Sequence, residues 1–255
     1  MENIFIQNRK GLRMALRISI EPENKKLVFL MHGLGARKEY PHMLVLEEEF
    51  LKKGYNVINI DTTNSNNASD VSDKGPTLTG MYEDLEDTIN WAKTQNFYTH
   101  PFALAGQSLG AQTIILYASK NPQMTNLVVS CAMPWLNGKI EVKQNKRTST
   151  ILKEGFFTQT SKTTGKTLKI TKSYLDDFEK YDFAPLVQNI TADTHIIVGT
   201  KDTEYHIENN KKLYELLTCK KSLQILENVP HDLANTPETK TIFQNAVNKI
   251  LNQYK

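Results

Sequence analysis

The chain has 255 residues, 39% hydrophobic and 23% charged, which suits one large globular domain and excludes a disordered or fibrous chain. A net charge of +3 is too small to mark a nucleic-acid binder, and no apolar stretch nears the ~20 residues that span a bilayer. The two cysteines, Cys131 and Cys219, read as free thiols, and the first residues show no basic-then-apolar leader, so the expected location is the cytoplasm.

Residues 3–7 and 12–20 alternate around Lys10-Gly11 and predict an antiparallel hairpin. Residues 26–31 are a continuous apolar run, a buried strand that ends at His32-Gly33-Leu34-Gly35. A helix is expected over 44–53, stopping at Gly54, and then a strand over 55–60 ending at Asp61. Residues 61–76, rich in Asn, Ser, Asp and Thr, read as a loop. Residues 79–94 predict a helix with Met81, Leu85, Ile89 and Trp91 near helical spacing and acidic residues opposite. An apolar strand over 101–105 runs into Gly106-Gln107-Ser108-Leu109-Gly110, and a helix follows over 111–118. Strands are expected over 127–133, 195–199 and 223–226, and a closing helix over 236–252. Strands alternating with helices imply an α/β fold: a largely parallel sheet covered on both faces, with the hairpin as a mixed edge.

Residues 134–182 break the alternation. They predict a hairpin over 155–170, turning at Thr163-Thr164-Gly165-Lys166, and a short helix over 173–181 capped by Ser173. Ligands of such sheets bind beyond the carboxyl ends of the strands, so an insertion there acts as a cap. The expected division is a core of residues 1–133 and 183–255 with a cap of residues 134–182. Between residues 139 and 172, nine basic residues face two acidic ones, a net of +7 against −4 for the rest. This charge either draws an anionic substrate or only keeps a surface hairpin solvated. Trp135, Phe156, Phe157, Tyr174 and Phe178 either line a pocket or form the cap's own core.

A strand, G-x-S-x-G and a helix together describe a nucleophile elbow, a turn so sharp that it lifts the Ser108 hydroxyl out of the sheet. Serine at that position also serves as an ordinary helix N-cap. A serine nucleophile needs a base, and the base needs a carboxylate to hold its tautomer. Asp202 follows the strand H-I-I-V-G, and His231 follows the last strand, both at carboxyl ends. Asp193, at the wrong edge, and Glu204, further into the loop, compete with Asp202. His206 is the main rival of His231; His32 belongs to the H-G motif, His42 is placed to line the pocket, and His100 and His195 lie at the wrong end.

On His32-Gly33-Leu34-Gly35, the elbow at Ser108, Gly199-Thr200-Lys201-Asp202 and Val229-Pro230-His231, the chain resembles the α/β-hydrolase superfamily over nearly its whole length. Its inserted cap is similar to that of bacterial carboxylesterases of the cinnamoyl/feruloyl esterase type. The resemblance implies catalysis in the order Ser108, Asp202, His231, with an oxyanion hole from the backbone amides of Leu34 and Leu109. It implies a carboxylesterase that works through an acyl-enzyme on a small-molecule ester. Alternatives are an acyl-thioesterase or acyltransferase with the same triad, or a small-molecule binding protein that keeps the pocket. Epoxide hydrolases of this fold carry aspartate at the elbow, and a peptidase fits less well. No H-E-x-x-H, paired C-x-x-C, G-x-G-x-x-G or G-x-x-x-x-G-K-[ST] is present, so neither a metal nor a cofactor is expected, and the oligomeric state is left open.

Overall fold

The structure, a computed structural model, describes residues 2–72, 74–132, 146–161, 164–203 and 207–254. The chain opens with β1 (Glu2–Gln7) and β2 (Arg13–Ser19). The Asn8 side-chain oxygen holds the tip of their turn, accepting the N–H groups of Lys10 at 2.9 Å and Leu12 at 3.0 Å. Then come β3 (Lys26–Met31), α1 (Pro41–Lys52), β4 (Tyr55–Asp61), α2 (Leu78–Ala92), β5 (Phe102–Gln107), α3 (Leu109–Lys120) and β6 (Met124–Ser130). The insertion contributes α4 (Lys146–Glu154), β7 (Phe156–Thr160), β8 (Thr167–Thr171) and α5 (Lys172–Phe178). The chain returns through α6 (Phe183–Val187), β9 (Asp193–Lys201), α7 (Ile207–Leu216), β10 (Lys221–Pro230) and α8 (Pro237–Leu251).

Eight strands form one sheet in the order β1-β2-β4-β3-β5-β6-β9-β10. The β1–β2 and β2–β4 pairs are antiparallel, and every pair from β4 to β10 is parallel. Because side chains alternate along a strand, each central strand feeds two cores. Leu27, Phe29 and Met31 pack with α2 and α3 on one face, while Val28 and Leu30 pack with α1 and α8 on the other. Burial on both faces explains why β3 reads as an unbroken apolar run.

Several boundaries differ from the expectations. Pro41 starts α1 three residues early, its fixed φ suiting the first helical position. β6 ends at Ser130, so Cys131 lies just beyond the strand, at φ +49°, with its N–H bonded to the Ile197 carbonyl at 2.8 Å. Residue 133, expected in that strand, lies outside the described residues. Ser173 does not cap α5: the helix starts at Lys172, and the Ser173 hydroxyl instead donates to the Lys74 carbonyl at 3.0 Å. α4, α6 and α7 had no expectation.

Asp61 ends β4, and residues 62–72 and 74–76 are irregular as expected, yet Asp61 to Asn66 and Ser69 are buried. The β7–β8 hairpin covers them. The Thr164 hydroxyl donates to the Asn66 carbonyl at 2.9 Å, and the Lys166 ammonium donates to the carbonyls of Asn67 and Ser69, each at 2.9 Å. The inserted segment is thus tied down at the carboxyl edge of the sheet. Tyr174 and Phe178 pack ring to ring at 5.1 Å and join the core on the α2–α3 side. Phe156 is exposed, under the Lys169 ammonium at 4.6 Å from its ring, and Trp135 lies outside the described residues.

Candidate active site

Ser108 sits between β5 and α3 at φ +55° and ψ −120°, a backbone conformation that a non-glycine residue rarely holds. Two flanking glycines make the turn possible. A Cβ on Gly110 would stand 2.2 Å from the Met31 carbonyl oxygen, and one on Gly106 would stand 2.6 Å from the Gly110 carbonyl oxygen. The Ser108 side chain makes no capping bond to α3, so the N-cap reading is not what the structure shows. Its residue is 5% exposed and lines a pocket of about 420 Å³.

The same pocket receives His231, carried just past the end of β10. The His231 Nδ1 lies 2.9 Å from Asp202 Oδ2, and Asp202 follows β9 directly. A carboxylate only accepts here, so Nδ1 carries the proton and Nε2 presents a lone pair. The Gln107 amide nitrogen lies 3.1 Å from that Nε2 and donates to the His231 carbonyl at 3.2 Å, which fixes which end of the amide faces the ring. The Gln107 Oε1 lies over Gly33. Gln107 therefore packs against the H-G loop while its amide holds the imidazole, a role no motif reveals because it fills a variable position of G-x-S-x-G.

Behind Asp202 stands Cys131. Its buried thiol is pushed well above the usual range, first by burial and then by the charge of Asp202, to which the S–H donates. Among the described residues, Cys131, Asp202 and His231 form one group of potential metal ligands, their ligand atoms all within 4.8 Å. Here the thiol and imidazole protons are both directed at Asp202, so hydrogen bonding accounts for the cluster.

The H-G loop is held from below. His32 Nδ1 donates to the Gly33 carbonyl at 2.7 Å, and its Nε2 accepts from the Thr62 N–H at 3.2 Å. Burial lowers its pKa, which suits this neutral, loop-ordering ring. Leu34 lines the pocket beside Ser108. Leu109 opens α3, so its N–H is among the helix amides without an intrahelical acceptor.

The rivals separate by position. Asp193 starts β9, at the opposite end from Asp202, and is paired with Lys220 at 2.8 Å. His195 is buried between Ser222 and Tyr254, and His100 is exposed before β5. Glu204 and His206 lie outside the described residues. His42 does line the pocket, as do Tyr40, Asp232 and Asn235, with Arg147 and Gln159 reaching in from the insertion. None of Phe156, Phe157, Tyr174 and Phe178 lines it.

Residues 22–191 match the family model of serine aminopeptidase, S33. The chain belongs to this family of α/β hydrolases. The matched segment of this S33-family hydrolase contains the H-G loop and Ser108 and ends before Asp202 and His231. No curated protein matches it. Among solved structures, it is similar to Est1E from Butyrivibrio proteoclasticus with ferulic acid bound, at TM-score 0.81 and 16% identity over 98% of both chains. An esterase from Pyrococcus furiosus aligns at TM-score 0.74 and 17% identity over 99% of this chain and 90% of that one. The α/β hydrolase domain-containing protein 10 from mouse aligns at TM-score 0.76 and 13% identity over the full length of both. At these identities the likeness establishes the fold. Among the described residues, no helix is long and apolar enough to cross a membrane.

Proposed function

We propose that this S33-family hydrolase cleaves carboxylic esters through an acyl-enzyme on Ser108. His231 Nε2 takes the hydroxyl proton as Ser108 Oγ bonds to the substrate carbonyl carbon. The backbone amides of Leu34 and Leu109 receive the oxyanion, and removing such a donor costs about 2.7–4 kcal/mol in comparable enzymes. The intermediate expels the alcohol, whose oxygen collects the proton from His231. Water then attacks the acyl carbon, gives a proton to His231, and frees the acid as that proton returns to Ser108. Asp202 keeps Nδ1 protonated throughout, and residues 134–182 act as a cap over the opening. The observation that carries the reading is the 2.9 Å Nδ1–Asp202 contact beside an uncapped serine on a strained turn in one pocket.

Since Est1E, of similar fold, holds ferulic acid, aryl esters are the first substrates to try. Arg147 in the pocket lining supports an anionic substrate, such as a carboxylated aryl ester or the thioester of a phosphorylated carrier. The second case would make the enzyme an acyl-thioesterase or acyltransferase with unchanged residues. A panel of aryl esters, alkyl esters and acyl thioesters tests the reading. The wild type should hydrolyse at least one class, and Ser108→Ala should lose roughly 10⁴-fold or more in kcat. Wild-type rates in Ser108→Ala would overturn the assignment.

A further inference from the structure

His42 has a free acceptor that the chemistry above does not use. It is the second residue of α1, 2% exposed, and lines the pocket. Its Nδ1 lies 3.1 Å from the Asp232 carbonyl oxygen. A carbonyl can only accept, so Nδ1 must carry the proton. Burial pushes the imidazole down to about 3, so near neutral pH no second proton binds. The remaining nitrogen, Nε2, is therefore a bare lone pair, and it is buried with no partner. Tyr40 packs edge-on against the ring at 5.9 Å and holds its plane. A buried acceptor left unmatched is costly unless something supplies a donor.

The place of this acceptor says which part of a substrate would supply it. The partner of His42 is the backbone of Asp232, the residue after His231, and the His231 ring is close enough to act on His42 electrostatically. His231 hands its proton to the departing oxygen, so the alcohol half of the ester lies on this side. We propose that His42 Nε2 is a recognition group for a second hydroxyl carried by the leaving alcohol, and that the enzyme selects esters of hydroxylated alcohols over simple alkyl esters. This rests on the ester-cleaving reading and adds a substrate class to it. A neutral acceptor also rejects a leaving group that offers only an ether or a carboxylate at that point.

The test uses two probes with one acid, the 2-hydroxyethyl and 2-methoxyethyl esters of cinnamic acid. The ratio of their kcat/KM values is read in the wild type, His42→Leu and His42→Gln, each first checked for fluorophosphonate labelling. The wild type should favour the hydroxyl probe by about tenfold, the order expected for one hydrogen bond to a buried acceptor. His42→Leu should bring the ratio near one, and His42→Gln, which keeps an acceptor, should restore part of it. If Leu proves too disruptive to label, the Gln ratio against wild type decides alone: unity or an intermediate value supports the proposal, and an unchanged ratio overturns it. A wild-type ratio near one, or a preference that survives in His42→Leu, also overturns it. Failure of the underlying reading looks different: neither ester is cleaved and the wild type itself takes no label.

Discussion

The two walls of the pocket are built by opposite rules. On the sheet side, the elbow has no slack: carbonyl oxygens stand where any Cβ on Gly106 or Gly110 would go, and Ser108 is held at positive φ by the strand before it and the helix after it. On the insertion side, β7 and β8 make a two-stranded ribbon whose outer residues are exposed, Phe156 by 41%. It is moored by polar bonds from Thr164 and Lys166 to loop carbonyls. The contrast teaches where chemistry and selectivity reside. On the proposed reading, backbone geometry that cannot vary fixes the reaction, and side chains of the insertion, Arg147 on α4 and Gln159 on β7, shape what enters.

The largest effects should follow from attacking the rigid wall. Gly110→Ala forces a Cβ into the Met31 and His32 carbonyls, and we expect a loss above about 4 kcal/mol, read as insoluble protein or a collapse of Tm. Asp202→Asn should keep the fold and lower kcat about 10⁴-fold, because an amide can hold the wrong tautomer of His231. Circular dichroism with kinetics separates the two outcomes.

Acid sharpens the comparison next. His42, pushed down to about 3 by burial, and His32, lowered for the same reason, both stand at the rigid wall. Between pH 6.5 and their folded-state values, the unfolded chain binds more protons than the native one, so stability is lost as pH falls through that window. Asp84, raised by burial to about 6, opposes this trend, since its native state binds the extra proton between about pH 4 and 6. Tm against pH should fall from pH 6.5 downwards, and His42→Gln should flatten that fall. An unchanged slope would contradict the assignment of a neutral, buried His42.

The smallest effect should come from the tolerant wall. Arg147→Gln should leave Tm within about 1 °C and remove the salt dependence of kcat/KM toward anionic esters, while neutral esters are indifferent. Equal salt responses for both esters in the wild type would dismiss charge selection by the insertion.

This division also decides what could be read from the residues alone. Alternation and unbroken apolar runs gave the sheet, because burial on one or two faces writes its period directly into β2 and β3. The elbow was legible because its glycines answer to sterics. Cys131 was misplaced inside a strand, since an apolar residue at a strand's end carries no mark of where the chain turns. α7 was missed because only Asn210 and Leu213 of its ten residues are buried, too thin a stripe to stand out. Gln107 was invisible for a different reason. Its importance lies in reaching His231, 124 positions away, and spacing says nothing of that. The segment between β4 and α2 reads only as a loop, and the burial of its Asn64, Ser65, Asn66 and Ser69 has no local signal, because the hairpin that bonds to it lies about 100 positions on.

The central claim is that Ser108 is the group that becomes acylated, and covalent labelling examines it most directly. A fluorophosphonate probe, followed by peptide mass spectrometry, should add one label to the wild type, on Ser108, and none to Ser108→Ala. A label persisting on the alanine variant, or an unlabelled wild type with intact fold, would contradict the account.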